Sequence, residues 1–208
     1  MKALKIIFLF CSIALLASCG NRGSKGESSF TETGVKEENS YAKFFEITNY
    51  SNCKVISVIN PWDTTRTLQE YVLVDKNIPL PDGLPKGTVI RTPVENVIMY
   101  STIHASIWEK LGALDSVVGI CEPEYLTSER AKQMMAEGKI HNCGMASSPN
   151  VEKIMDIGGR FIVASPFENG GYGQAEKLGI PIFESADYME NHPLGRVEWM
   201  KVFGMLSG

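Results

Sequence analysis

The chain has 208 residues, a formal net charge of −4 and 44% hydrophobic residues. This length and apolar content suffice for one domain with a substantial core. The acidic balance provides no basic field, so we do not expect nucleic acid as a partner.

The first residues indicate a targeting signal. Lys2 and Lys5 precede an almost uninterrupted apolar run that is too short to cross a bilayer. The letters LASC that follow, at residues 16–19, resemble the lipobox of bacterial lipoproteins, in which Cys19 carries the lipid. An ordinary signal peptide that contains a cysteine is the alternative. We therefore predict a signal peptide over residues 1–18 and a lipid anchor on Cys19, on the periplasmic side of the cell membrane.

Residues 19–40 are rich in Gly, Ser and charge, which predicts a flexible tether. After it, the β-branched stretches KVISVIN (residues 54–60) and YVLVDK (residues 71–76) indicate a hairpin with a long loop. We assign residues 41–190 to one α/β domain that includes this hairpin.

From residue 94 onward, apolar strand patterns alternate with helical patterns. The predicted strands are VENVIMYS, DSVVGIC, RFIVASPF and IPIFES, and the predicted helices between and beside them are TIHASIWEKLGA, SERAKQMMAEGK, PNVEKIMDIGG and GQAEKLG. Such alternation is typical of parallel strands joined by crossovers in an open α/β sheet. The last segment, residues 191–208, predicts a helix with Asn191 as its N-cap, Pro193 in its first turn and a broad apolar face.

The motifs of common enzymes are absent from the sequence. There is no Gly-x-Ser-x-Gly elbow, no phosphate-binding Gly-x-x-x-x-Gly-Lys and no His-x-x-x-His pair, and the three histidines are widely spaced. We therefore expect no enzyme activity, no cofactor and no metal site. The Gly-rich ENGGYGQ, residues 168–174, is better interpreted as a flexible binding loop.

Ligands of open α/β sheets bind at the carboxyl ends of the strands. This rule directs attention to the loops that begin at Ser101, Cys121, Cys143 and Pro166. Hydroxyl groups after the first strand either face a ligand or cap the next helix, and both remain possible. Aromatic residues in the other loops suit a large, partly apolar small molecule. Cys121 and Cys143 follow neighbouring strands, and whether they form a disulfide is left open.

Three blocks of the sequence resemble a known family. ENVIMYSTIHASIWEKLGALDSVVGI, GMASSPNVEKIMDIGGRFIVAS and HPLGRVEWMKVFG are similar to the substrate-binding proteins of ABC importers for cobalamin, haem and ferric siderophores. The resemblance covers roughly residues 89–208. It implies a Rossmann-like three-layer α/β sandwich with a small, mainly parallel sheet, a second lobe, and a metal-chelate ligand held between the lobes. It also implies an ABC-transporter permease as partner.

The resemblance implies a set of site residues. The pocket positions are Ser101, Thr102, His104, Glu122, Tyr125, Met145, Ser147, Phe167 and Tyr172. Glu152 follows a predicted N-cap at Ser148 and, by its position alone, complements the dipole of its helix. The family pattern implies instead that Glu152 pairs with a permease arginine.

The family pattern continues beyond Gly208 with a longer interlobe helix and a second lobe. We therefore expect this chain to be the N-terminal lobe of a longer carrier, with the apolar face of residues 191–208 partly uncovered; a natural end at Gly208 is the alternative. The matched loops hold no arginine, which favours cobalamin or another neutral macrocycle over an anionic ferric complex. An interaction lipoprotein without a ligand, a non-functional fragment and a secreted Rossmann-like enzyme remain alternative hypotheses.

Overall fold

A computed structural model of the protein describes residues 30–208. Two five-stranded sheets form its framework. The strands of the first sheet are β1 (Val35–Glu37), β2 (Phe45–Asn49), β3 (Lys54–Ile59), β4 (Thr67–Asp75) and β5 (Thr88–Thr92), which lie in this order across the sheet. Neighbouring strands are antiparallel except for β4 and β5, which are parallel.

The first sheet confirms the predicted hairpin and extends it. β3 pairs with β4 antiparallel, from Lys54 opposite Leu73 to Ile59 opposite Thr67. The predicted tether, however, is wrong at its end, because Val35–Glu37 pairs with β2 as an edge strand. An edge strand needs only one partner for its backbone groups, so a polar, mostly exposed segment can adopt it. Composition alone therefore placed the start of ordered structure too late.

The second sheet consists of parallel strands only. Its members are β6 (Val97–Met99), β7 (Val117–Ile120), β8 (His141–Asn142), β11 (Phe161–Ala164) and β12 (Ile182–Glu184). They lie in the order β12-β11-β6-β7-β8. A short antiparallel ribbon of β9 (Gly144–Met145) and β10 (Ser148–Pro149) follows β8. The predicted α/β fold with a small parallel sheet is confirmed.

Within residues 30–208, five α-helices and four 3₁₀ turns accompany these strands. The helices are α1 (Thr102–Lys110), α2 (Glu129–Ala136), α3 (Val151–Asp156), α4 (Pro193–Glu198) and α5 (Met200–Ser207). The 3₁₀ turns are Leu114–Ser116, Pro123–Tyr125, Gly173–Leu178 and Asp187–Met189. The segment GQAEKLG, predicted as a short helix, is therefore 3₁₀.

Two predicted helix caps are shifted by one or two residues. Asn150 caps α3 by accepting from the Lys153 N–H, so Ser148 lies in the ribbon instead of at the helix start. His192 caps α4 through its ring nitrogen, which accepts from the Leu194 N–H at 3.1 Å, in place of the predicted Asn191. In both helices several polar residues stand near the start, and only the backbone path selects the one that caps.

The parallel sheet is buried on both of its faces, which makes the fold a three-layer sandwich. Alternate residues of β6 and β11 point to opposite sides, as the period of a strand requires. Val97 and Val163 join the core shared with α1, α5 and the first sheet. Ile98 and Ile162 join a second core beneath α3 and the Gly173–Leu178 turn.

The apolar face of the final segment packs into the larger core. Trp199, Val202, Phe203 and Leu206 are all fully buried, so most of the face that was expected to be partly uncovered is covered. The faces of α1 and of the first sheet cover it, through contacts such as Phe203 against Trp108 and Trp199 against Phe45. Only Leu194 and Val197 of the predicted face are exposed.

Within residues 30–208, the helices are all too short or too polar to span a bilayer. The predicted signal peptide and the predicted lipid site, Cys19, lie outside the described residues.

Candidate ligand-binding cleft

A surface cleft lies at the point in the parallel sheet where the order of the strands reverses. From β6 the chain moves outward to β7 and β8, then returns to the other side of β6 to form β11 and β12. The segments that follow β6 and β11 therefore diverge to opposite faces and leave a crevice between them. Ser101 and Thr102 follow β6, and Ser165 and Phe167 follow β11.

This cleft has a volume of about 340 Å³. Its lining residues come from four segments that follow strands of the parallel sheet and from one 3₁₀ turn. They are Tyr100, Ser101, Thr102, Ile103, Glu122, Tyr125, Ala146, Ser165, Phe167, Tyr172 and Tyr188. Six of the nine predicted pocket residues are thus brought together: Ser101, Thr102, Glu122, Tyr125, Phe167 and Tyr172.

The mouth of the cleft is apolar and exposed. Ile103, Tyr125 and Phe167 are 64%, 69% and 60% exposed, although each has a large hydrophobic side chain. Exposed apolar side chains grouped around a concavity are typical of binding surfaces.

Hydroxyl groups supply most of the polar atoms among the lining residues of the cleft. The Ser101 hydroxyl caps α1, accepting from the Ile103 N–H at 3.3 Å, which confirms the capping alternative. The Tyr188 hydroxyl donates to the Pro166 carbonyl at 2.6 Å and is engaged as well. Among the described residues, the buried hydroxyl of Tyr100 has no hydrogen-bond partner. Burial raises the pKa of Tyr100, so this hydroxyl stays protonated.

The Glu122 carboxylate is the one charged group that lines the cleft; none of its other described lining residues is Lys, Arg, His or acidic. The backbone of Glu122 adopts the left-handed region, with φ of 52°, and its N–H donates to the Gly144 carbonyl at 2.8 Å. This conformation is costly for a residue with a side chain, and the hydrogen bond to the ribbon holds it in place.

His104 is not a cleft residue. It is 1% exposed and its Nε2 lies 3.0 Å from the Oδ1 of Asp187, which also accepts from the Ser185 hydroxyl at 2.7 Å. The hydrogen bonds from His104 and Ser185 more than offset the effect of burial and lower the pKa of Asp187. The prediction of His104 as a ligand contact is therefore wrong, because position 104 lies on the face of α1 that packs against Phe203.

Met145 and Ser147 also fall outside the cleft. Both are exposed on the β9–β10 ribbon, and the residue between them, Ala146, is the one that lines the cleft. The tight turn between two ribbon strands directs neighbouring residues to different sides, and the sequence does not show which residue points inward.

Glu152 lies in the first turn of α3 and is exposed, as predicted. The position is consistent with either role, complement of the helix dipole or contact with a partner. Cys121 and Cys143 are both buried and free, so the possible disulfide between them is absent. Burial raises the pKa of the Cys121 thiol to about 12, and that of Cys143 to about 11.

Sequence reasoning missed five lining residues: Tyr100, Ile103, Ala146, Ser165 and Tyr188. Tyr100 lies near the end of the predicted strand VENVIMYS, and that pattern gives no indication that it lines a cleft. Ser165 adjoins Pro166, and its place directly after a strand is a signal that could have identified it. Tyr188 belongs to a turn far along the chain, which only the tertiary structure brings to the cleft.

Comparisons with known proteins give limited similarity. No protein-family model matches the chain. An uncharacterized lipoprotein of Methanocaldococcus jannaschii is 27% identical over 236 aligned residues, which cover 98% of this chain. The chain spans 56% of the length of that lipoprotein. Among solved structures, the periplasmic vitamin B12 binding protein BtuF of Vibrio cholerae superposes with a TM-score of 0.36 and 18% identity, over 53% of this chain and 47% of that one.

Proposed function

We propose that this protein is the substrate-binding lipoprotein of an ABC importer. In this proposal it captures a metal-chelate nutrient, namely cobalamin, haem or a ferric siderophore, and delivers it to a membrane permease. The observation that carries the proposal is the cleft at the switch point of the parallel sheet, where six residues implied by the family resemblance meet. A lipoprotein relative that aligns with nearly the whole chain supports the anchoring on Cys19.

The chemistry of the cleft limits the ligand. Exposed aromatic and aliphatic side chains surround hydroxyl groups, and one carboxylate supplies the only charge among the described lining residues. A neutral or cationic macrocycle matches this surface, whereas a strongly anionic ferric complex lacks a basic counterpart. Cobalamin or a similar neutral macrocycle is therefore favoured within the proposed class.

The cleft presents one wall to its ligand. A volume of about 340 Å³ is at the lower end for small-molecule sites and cannot enclose a macrocycle. The proposal therefore includes a second lobe that covers the other side of the ligand. The exposed mouth residues Ile103, Tyr125 and Phe167 are the surface that such a lobe and the ligand would bury.

Direct binding measurements in detergent on the carrier that includes the second lobe test the capture function. The probes are cyanocobalamin, haem and a hydroxamate ferric siderophore, each followed by its absorbance and by calorimetry. Tyr125→Ala should weaken binding of the preferred probe about tenfold or more, since an aromatic wall is lost. Tyr41→Ala removes an exposed tyrosine that does not line the cleft and should leave the affinity unchanged. A folded protein that binds none of the three probes contradicts the proposal.

Docking on the permease is a separate part of the proposal. Glu152 is exposed at the N-terminal turn of α3, where a charge-assisted pair with a permease arginine would fix orientation. Glu152→Gln should reduce uptake and leave ligand affinity intact, whereas Glu129→Gln, at the start of α2, should change neither. Unchanged uptake in Glu152→Gln would remove the docking role and leave ligand capture standing.

A further inference from the structure

The loop between β4 and β5 exposes a short apolar segment. Ile78, Pro79 and Leu80 are consecutive and all lie at the surface; Ile78 is 37% exposed and Leu80 is 57% exposed. Further prolines at positions 81 and 85 restrict the backbone of the loop. Consecutive apolar side chains at the surface are typical of segments that contact another apolar surface. We call residues 78–80 the apolar tip.

Contacts on both sides of the apolar tip fix the loop to the first sheet. The Arg91 guanidinium of β5 donates to the Ile78 carbonyl, and the Asp75 carboxylate accepts from the Asn77 N–H at 2.7 Å. Further along the loop, Leu84 packs against a small buried cluster of the first sheet. The loop thus buries one of its aliphatic side chains and leaves those of the apolar tip at the surface.

The apolar tip lies beside the place where the described part of the chain begins. The Phe30 ring meets the Tyr50 ring edge-on, with 4.9 Å between the ring centroids. Tyr50 in turn lines a groove of about 350 Å³ together with Ile78 of the apolar tip. The segment that leads back to Cys19 therefore joins the domain next to the apolar tip.

The length of that segment keeps the apolar tip close to an anchored lipid. Ten residues separate Cys19 from Phe30. Their fully extended length is at most about 35 Å. A lipid on Cys19 would hold the apolar tip within roughly this distance of a bilayer and so raise its local concentration at the surface. Two aliphatic side chains that bind a membrane weakly by themselves are then sufficient to orient the domain.

The cleft opens at the opposite end of the parallel strands. Lys76 and Arg91, at the base of the loop, line a groove together with Arg160 and Phe161, which stand at the amino end of β11. The cleft lies at the carboxyl ends of β6 and β11. A domain whose apolar tip touches a membrane therefore presents its cleft on the side away from that membrane.

We propose that the apolar tip inserts into the lipid surface and turns the cleft away from the membrane. The Ile78 and Leu80 side chains enter the interfacial region of the bilayer, where their apolar area leaves water. This inference rests on the proposed lipid anchor at Cys19 and goes beyond the proposed transport function, because it assigns the orientation in which the protein meets its ligand. Delivery to a permease then requires the apolar tip to leave the bilayer.

The charges around the apolar tip balance one another. Lys76 and Lys86 flank it, and so do Asp75 and Asp82. The contact therefore depends on the burial of apolar area and not on attraction to anionic headgroups. We expect it to form equally on neutral and anionic lipids and to withstand added salt.

Tryptophan fluorescence on vesicles with brominated acyl chains tests the orientation. The chain from Cys19 onward is coupled through the Cys19 thiol to a maleimide lipid in phosphatidylcholine vesicles; the free cysteines of the described residues are buried. Brominated chains should quench the added emission of Leu80→Trp about twofold or more, since they reach only inserted side chains. Tyr125→Trp, at the mouth of the cleft, should show no quenching beyond that of the wild type.

A second substitution tests whether the apolar tip causes the contact. Ile78→Asp in the Leu80→Trp background should abolish the added quenching, because a carboxylate opposes insertion. Met155→Asp in the same background is the matched control, since Met155 is 55% exposed on α3, outside the apolar tip. It should leave the quenching unchanged. The quenching of Leu80→Trp should also be equal on neutral vesicles and on vesicles with phosphatidylglycerol.

Three outcomes would overturn the membrane contact. One is that Leu80→Trp is quenched no more than the wild type. Another is that Leu80→Trp and Tyr125→Trp are quenched equally, which would indicate no preferred orientation. The third is a dimer in sedimentation without vesicles that Ile78→Asp dissociates, which would make a second copy of this chain the partner. Chemical coupling makes the result independent of lipidation in the cell, and ligand capture is measured separately, so the failures of the two proposals are distinguishable.

Discussion

Replacement of Glu198 by glutamine should destabilise the protein and remove part of its pH dependence. Glu198 ends α4, and its carboxylate accepts from three successive backbone N–H groups, those of Ser40, Tyr41 and Ala42, at 2.8–2.9 Å. Lys201 donates to the same carboxylate at 2.8 Å. The side chain is only 8% exposed, and it fastens the segment before β2 to the C-terminal helices.

The magnitude follows from the pKa of Glu198. Burial alone raises this pKa, but the hydrogen bonds from Lys201 and the three backbone groups outweigh it and lower the value from 4.5 to about 2. At about 1.4 kcal/mol per pKa unit, this difference corresponds to roughly 3 kcal/mol. Solvent screening around the Glu198 carboxylate reduces this energy. We therefore expect Glu198→Gln to lower the free energy of unfolding by about 2 kcal/mol at pH 7.

The sign of the pH dependence is fixed by the lowered pKa. The folded state holds the charged carboxylate, so its contribution is complete above pH 4.5 and is lost as the pH falls toward 2. The difference between wild type and Glu198→Gln should therefore shrink by about 1 kcal/mol between pH 7 and pH 3.5. Urea unfolding followed by tryptophan fluorescence measures the free energy at each pH.

A control variant separates this effect from a general loss of charge. Glu46 pairs with Lys36 on the surface, and its side chain is 49% exposed. Glu46→Gln should cost less than about 0.5 kcal/mol. The reasoning would be refuted if Glu198→Gln cost no more than Glu46→Gln, or if its cost were the same at pH 7 and pH 3.5.

Four further predictions concern packing and the buried thiols. Phe203→Ala should lower the free energy of unfolding by about 3–5 kcal/mol, because a fully buried ring leaves a cavity; a loss below about 1 kcal/mol in urea titrations would contradict the burial of α5. Gly119→Ala should destabilise by about 1–3 kcal/mol, since its Cβ would lie 2.5 Å from the Cys143 sulfur. A Cβ added at Gly204 would meet no atom of another segment within 4 Å, so Gly204→Ala should stabilise α5 by up to about 1 kcal/mol. Equal melting temperatures of Gly119→Ala and Gly204→Ala would refute both predictions. Alkylation without reductant should label Cys121 and Cys143 after unfolding and not before, and a linked peptide in the mass spectrum would disprove the free thiols.

The order and type of the main elements could be predicted from the sequence because they rest on local patterns. β-branched runs specified β3 and β4, and apolar runs that alternate with helical periodicity specified the parallel sheet. Hydroxyl and aromatic residues directly after strands specified most of the cleft, since the carboxyl ends of parallel strands share one edge. These inferences need only near neighbours in the chain and a general rule of topology.

The roles of single polar residues required the tertiary structure. His104 and Ser101 both follow β6, yet Ser101 lies at the cleft and His104 lies in the core against Asp187, 83 residues further along the chain. Glu190 was not singled out in the sequence, but its buried carboxylate accepts from the N–H groups of Lys43 and Phe44 and from the Trp199 indole. Such contacts join segments about 150 residues apart, and no local pattern records them.

The sequence by itself determined the α/β class, the order of the elements along the chain and the edge of the sheet where the cleft lies, because hydrophobic periodicity encodes which residues must leave water. Tertiary structure alone decided which face of α1 is buried and that Val35–Glu37 adds a strand. The physical reason is that burial and hydrogen bonding of a side chain depend on every segment that packs against it. Which segments pack against a side chain depends on the fold of the whole chain and not on the residues next to that side chain in sequence.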